Sequence, residues 1–134
     1  MDSKSLQIND DKIKELCKKH RIKLLILHGS YAKNRATSKS DIDIGILSEN
    51  KVGTDKYLDI LGDFNEIFGD KFDPVFLNGV EPMISLHTAI SGIPLYEAKK
   101  GLFAEFRMQT IGRYNDTKKF RDLEKEYVRL AAKA

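Results

Sequence analysis

The chain has 134 residues, 41% of them hydrophobic and 32% charged, and a formal net charge of +3. That balance is globular rather than disordered, and the length suits one domain that buries a core without metal or disulfide support. A lone Cys17 excludes an internal disulfide, the aliphatic run Leu24 to Leu27 is too short for a membrane span, and Lys and Arg interleaved with Asp and Glu do not predict nucleic-acid binding. The polar start of the chain lacks the apolar stretch of a signal peptide, so a cytoplasmic protein is expected.

In chain order, Asn9 followed by Asp10 and Asp11 predicts a helix start, with Ile13, Leu16, Cys17 and His20 on one face. Ile22 to His28 is a short aliphatic run ended by Gly29, which predicts a buried strand. A polar stretch from Tyr31 to Ser40 follows. Asp41 to Leu47 begins with charged and apolar residues alternating, the pattern of a strand with one face not devoted to packing. Thr54 is placed to cap a helix running to about Phe68, with Tyr57, Leu58, Leu61, Phe64, Ile67 and Phe68 as its apolar face and Gly69 as its stop. Lys71 to Leu77 reads as a third strand, which Pro74 pushes toward a sheet edge or a bulge.

Pro82 opens a short helix that stops at Gly92, and Pro94 to Glu97 adds a last short strand. From Lys99 onward the pattern is helical. Leu102, Phe103, Phe106 and, as a weaker member, Thr110 share one face, as do Phe120, Leu123, Tyr127 and Leu130, and Asn115-Asp116 is a candidate break between the two stretches. The expected fold class is α/β (α+β), a small mixed sheet flanked by helices with a C-terminal helical tail. One domain is expected over residues 1–134, its core at about 9–97 and its tail at about 99–134. Strand order and direction are not readable from the pattern.

The chemistry concentrates in Gly29-Ser30 and, ten residues on, Asp41-Ile42-Asp43. Residues two apart in a strand point to the same side, so Asp41 and Asp43 project together. Paired carboxylates repel each other unless a cation neutralises them, and hard ions such as Mg²⁺ take oxygen ligands while leaving positions for phosphate oxygens. A glycine-serine turn after a buried strand presents backbone N–H groups and a hydroxyl to phosphate. Lys33, Arg35 and Lys39 lie between the two motifs and would balance triphosphate charge. Alone, a Gly-Ser turn is ordinary punctuation, whereas Asp-x-Asp in a strand is unusual because aspartate is depleted there.

The segment GSYAKNRATSKSDIDIGIL closely resembles the signature of the DNA polymerase β-like nucleotidyltransferase superfamily. In a chain this short it looks like the minimal nucleotidyltransferase (MNT) group, which includes the antitoxins of HEPN/MNT toxin–antitoxin pairs. The resemblance implies a third carboxylate from a later strand, which points to Asp73, with Asp70 a weaker substitute. It further implies that Asp41, Asp43 and Asp73 hold two Mg²⁺ ions, that ATP donates AMP, and that Asp73 helps deprotonate the acceptor hydroxyl. Asn34 stands where family members often carry glycine, and asparagine also tolerates left-handed backbone angles. Pro74, directly after Asp73, removes a ladder N–H and is the larger departure.

Other candidates are weaker. His20, His28 and His87 lack zinc-ligand spacing, and Cys17 has no partner. His28 adjoins Gly29 and would touch nucleotide, although a packed strand-end histidine is the simpler reading. Arg107, Arg113, Lys118, Lys119 and Arg121 read as solvated helix faces; Phe103, Phe106, Phe120 and Tyr127 read as core or interface packing.

With so little sequence left for an acceptor pocket, the expected acceptor is on a partner protein. By resemblance that partner is a HEPN ribonuclease toxin modified with AMP on a tyrosine; no membrane or direct nucleic-acid contact is expected. The rival expectation is an antitoxin that neutralises the toxin by masking it, with a vestigial site.

Overall fold

Strand β1 (Ile22–His28) is the spine of the molecule: in its middle, Leu24, Leu25, Ile26 and Leu27 are all fully buried. A strand covered on both faces reads as a continuous aliphatic run rather than an alternating one, which is the pattern these residues show. In the computed structural model, which describes residues 8–78 and 82–133 apart from the side chains of 82–84 and 119, β1 lies between β2 (Ile42–Ser48) and β4 (Ile93–Glu97), antiparallel to both. Strand β3 (Phe72–Phe76) pairs parallel with β2 at the opposite edge, giving the order β3-β2-β1-β4. The polar start over residues 1–7 lies outside the described residues.

Helices cover both faces. Helix α1 (Asp10–Lys19) and α2 (Thr54–Phe68) supply Ile13, Leu16, Cys17, Ile60, Phe64 and Phe68 to a core with Leu25, Leu27, Ile44 and Ile46. On the other face α3 (Pro82–Ser91) and α4 (Leu102–Ala131) supply Ala89, Phe103 and Phe106 to a core with Leu24, Ile26 and Leu77. Parallel β2 and β3 need a crossover between them, and α2 provides it. Asn9 caps α1 through its side-chain oxygen, which accepts from the Lys12 N–H at 3.2 Å. No described helix is long and apolar enough to cross a membrane.

The mixed sheet with flanking helices is the expected fold, and four details differ from expectation. Thr54 does not cap α2: Gly53 holds the cap position without a side-chain bond, and Thr54 is the first helical residue. The buried row of α2 is Ile60, Phe64 and Phe68, while Leu58 is exposed, because the helix meets the sheet along an i, i+4 row. Tyr57 instead packs at the sheet edge against Phe76, with ring centroids 4.9 Å apart. Asn115-Asp116 does not break the tail, and α4 runs unbroken for 30 residues. Neither residue blocks a helix sterically, and their propensity cost is only a few tenths of a kcal/mol each.

Candidate active site

Asp43 sits in β2 with Ile42, Ile44 and Ile46 buried toward α1 and α2, so strand alternation turns its side chain to the opposite face. The same face carries Val75 of β3, and Asp73, two residues earlier, shares it. In the parallel register Asp43 lies opposite Asp73, which brings the two carboxyl groups within hydrogen-bonding reach. Asp41 precedes β2 by one residue rather than lying within the strand, yet its charge still acts on Asp43. Pro74 does not shift this pairing. It sits opposite Ile44 in an edge strand, where the lost N–H costs little.

Burial is the main reason the Asp43 carboxyl is pushed up to about 6; the hydrogen bond and charge of Asp73 and then the charge of Asp41 raise it further. Two carboxylates this close repel each other when both are ionised, and a cation between them relieves that repulsion.

Gly29 closes β1 with φ of +71°, and a Cβ built there would lie 2.0 Å from Asp43 Oδ2. The carboxylate therefore packs directly on the Gly29 backbone, a closeness only glycine permits. The following segment is an ordered turn. Lys33 N–H donates to the Gly29 carbonyl at 3.2 Å, Arg35 N–H to the Ser30 carbonyl at 2.8 Å, and Asn34 takes a left-handed φ of +57°. Farther along, Thr37 N–H donates to Ser40 Oγ at 2.8 Å, which ties the turn back toward Asp41. Ser30 is half-buried; Lys33, Arg35 and Lys39 are exposed, and among the described residues none of the three forms an ion pair. The structure thus brings Gly29, Asp41, Asp43 and Asp73 together and leaves the three basic side chains at the rim.

His28 belongs to this cluster more closely than its spacing suggested. It pairs with Asp43 across β1 and β2, its Nε2 is buried without a partner among the described residues, and burial lowers its pKa while Asp73 pulls it up. Its direct attachment to Gly29 was the available signal. The other titratable candidates stand apart. His20 Nε2 lies 2.6 Å from Asp63, which also takes Lys19 at 2.9 Å, pinning the end of α1 to α2. His87 and Asp70 are exposed, and the thiol of buried Cys17 is pushed up to about 12.

Among the described residues no three His, Cys, Asp or Glu side chains already form a metal-binding set. The donors nevertheless fit a hard divalent ion: all are carboxylate oxygens, and Asp43 and Asp73 lie close enough that a cation held by both would relieve their repulsion.

The family profile for polymerase beta nucleotidyltransferases matches residues 11–101, about two-thirds of the chain. The chain belongs to this family. The match runs from within α1 to the residue before α4 and contains Gly29, Asp41, Asp43 and Asp73. Solved structures sharing the nucleotidyltransferase's fold include a chain of a toxin–antitoxin complex with AMP-PNP, at 21% identity and a TM-score of 0.75, covering 90% of this chain and 98% of that one. A chain of the tri-AMPylated Shewanella oneidensis HEPN toxin in complex with MNT antitoxin matches at 20% identity and a TM-score of 0.68, covering 89% and 94%. A chain of the MntA–HepT toxin–antitoxin complex matches at 19% identity and a TM-score of 0.67, covering 89% and 95%. No curated protein matches the chain significantly.

Proposed function

We propose that this nucleotidyltransferase is an antitoxin that transfers AMP from ATP to a tyrosine hydroxyl of a HEPN-type toxin and so neutralises it. The observation that carries the reading is the facing pair Asp43 and Asp73, with Asp41 beside it and the Gly29 backbone against it. Support for the substrate and partner comes from fold neighbours described as a toxin–antitoxin complex with AMP-PNP and as a tri-AMPylated HEPN toxin with its MNT antitoxin.

In this mechanism the Gly29 turn admits the triphosphate close to the backbone, and the Ser30 hydroxyl donates to a phosphate oxygen. Lys33, Arg35 and Lys39 offset the charge of the phosphate tail from the rim. A tyrosine hydroxyl, with an ordinary pKa near 10, is protonated at neutral pH, and Asp73 accepts its proton as the oxygen attacks the α-phosphorus. The new O–P bond forms as the bond to the β-phosphate bridge breaks, and pyrophosphate leaves with that electron pair. Mg²⁺ bound by Asp41, Asp43 and Asp73 would neutralise charge on the α-phosphate and the leaving group.

The rival reading, neutralisation by masking alone, draws on the amount of exposed apolar surface along α4. Incubating the purified chain and toxin with ATP labelled at the α-phosphate, with and without Mg²⁺, separates the two. Label on the toxin that depends on Mg²⁺ supports transfer; a stable complex that never takes label supports masking.

A further inference from the structure

The end of the sheet far from Asp43 carries a cavity of its own. The Arg21 carbonyl, in the turn between α1 and β1, accepts the Glu49 N–H at 3.0 Å, which draws that turn beside the loop between β2 and α2. These two connections and the start of α2 enclose about 230 Å³. Ser48 ends β2, roughly 16 Å along the strand from Asp43 at the usual rise per residue. Strand alternation turns its side chain with Ile44 and Ile46 toward α1 and α2, while Asp43 faces the other way. The cavity is therefore separate from the carboxylate site.

Ser48 lines this cavity and is only 4% exposed. Asn78 holds both of its backbone groups, accepting from the N–H at 2.9 Å and donating to the carbonyl at 3.0 Å. Its Oγ is buried and has no partner among the described residues. A buried hydroxyl in that state is uncommon, because its lost bond to water goes uncompensated. Around it stand Lys19, Arg21, Lys51 and Lys56, with Asp59 the one carboxylate among the described lining residues. Lys19 is neutralised by Asp63 at 2.9 Å, whereas Arg21, Lys51 and Lys56 form no ion pair among the described residues. Val52 and Lys56 also bracket the first turn of α2, whose cap residue Gly53 supplies no side-chain acceptor, so the N–H groups of that turn add to the positive field. Asp55 of the same turn does not line the cavity.

We propose that this cavity is a second anion site, which binds phosphate or pyrophosphate, either as the free anion or as the phosphate tail of a nucleotide. Arg21, Lys51 and Lys56 hold the charge, and Ser48 Oγ and the first turn of α2 donate to the oxygens. The proposal goes beyond the transfer reading and does not depend on it. Three unpaired cations against one carboxylate match a multiply charged anion better than a monocarboxylate. A guanidinium and the N–H groups at a helix N-terminus both suit phosphate oxygens. The volume is below the roughly 300–1,000 Å³ that takes a drug-sized ligand whole, so the base and sugar of a nucleotide would stay outside.

The test is calorimetric titration of the full chain with pyrophosphate in EDTA, so that no divalent ion holds the anion at the Asp43–Asp73 pair. Wild type should bind, and Asp43→Asn should bind equally well. Lys51→Ala/Lys56→Ala removes two exposed side chains that form no ion pair among the described residues, so it should fold normally. It should weaken binding about tenfold or more. Ser48→Ala should weaken binding about threefold and leave the unliganded chain at least as stable as before, because an unpaired buried hydroxyl is removed. Titration with ADP then identifies the source. ADP that binds as tightly as pyrophosphate, and is lost in the lysine variant, supports a nucleotide tail; pyrophosphate binding without ADP binding supports the free anion. No pyrophosphate binding by wild type, or unchanged affinity in the lysine variant, overturns the proposal. So does a response that potassium chloride reproduces at matched ionic strength. Loss of binding in Asp43→Asn overturns it as well, by assigning the anion to the carboxylate site.

Discussion

Asp43 on β2 and Asp73 on β3 stand opposite each other in parallel register, with the Asp43 carboxyl held up at about 6 by burial and by its neighbour. The pair costs the fold stability when both groups are ionised. Because the folded protein binds the Asp43 proton more tightly than the unfolded chain, whose value is near 3.8, stability is greatest below that value and falls as pH rises through about 6. For a half-buried carboxyl screened by solvent, the loss should be about 1 kcal/mol. Asp43→Asn should flatten that dependence and raise the melting temperature at pH 7. Urea unfolding at pH 4, 5, 6 and 7 measures it, and an unchanged slope in the variant would show that Asp43 is not the group responsible.

Gly29→Ala tests the close approach of the backbone to Asp43. The new methyl group would collide with Oδ2, and the left-handed φ adds about 1–2 kcal/mol of strain. Both lower stability, and displacing the carboxylate should weaken ATP binding as measured by calorimetry. Wild-type ATP affinity in a folded Gly29→Ala protein would mean that the turn does not contribute to nucleotide binding.

The Gly29 turn, Asp43 in β2 and Asp41 just before it were legible in the sequence because they are local: a strand end, a turn and period-two alternation lie within one short segment. Asp73 was a resemblance-based expectation, since its place opposite Asp43 depends on a parallel pairing across the whole of α2. The burial of α2 was partly misread for a related reason. Tyr57, Leu58, Leu61 and Ile67 widen the apolar arc, and only the sheet decides that the row of Ile60, Phe64 and Phe68 is the one buried. His28 was seen, but its closeness to Asp73 comes from two strand pairings together.

Phe64 marks the center of the core between α2 and the sheet. It is fully buried, with Phe68 and Phe72 ring centroids at 6.3 and 6.4 Å. Phe64→Ala should cost about 3–5 kcal/mol through lost burial and the cavity left behind. Denaturant unfolding checks the size; a loss under about 1 kcal/mol would place this core elsewhere.

In the proposed mechanism the carboxylates perform a transfer rather than mark a relic. Intact-mass spectrometry of the HEPN-type toxin, co-expressed with wild-type chain or with Asp73→Asn, tests it most directly. With wild type the toxin should gain one or more units of about 329 Da, the mass of transferred AMP. With Asp73→Asn it should stay unmodified while still co-purifying with the chain. An unmodified toxin in the wild-type complex, or equal modification by Asp73→Asn, would rule out transfer by these carboxylates.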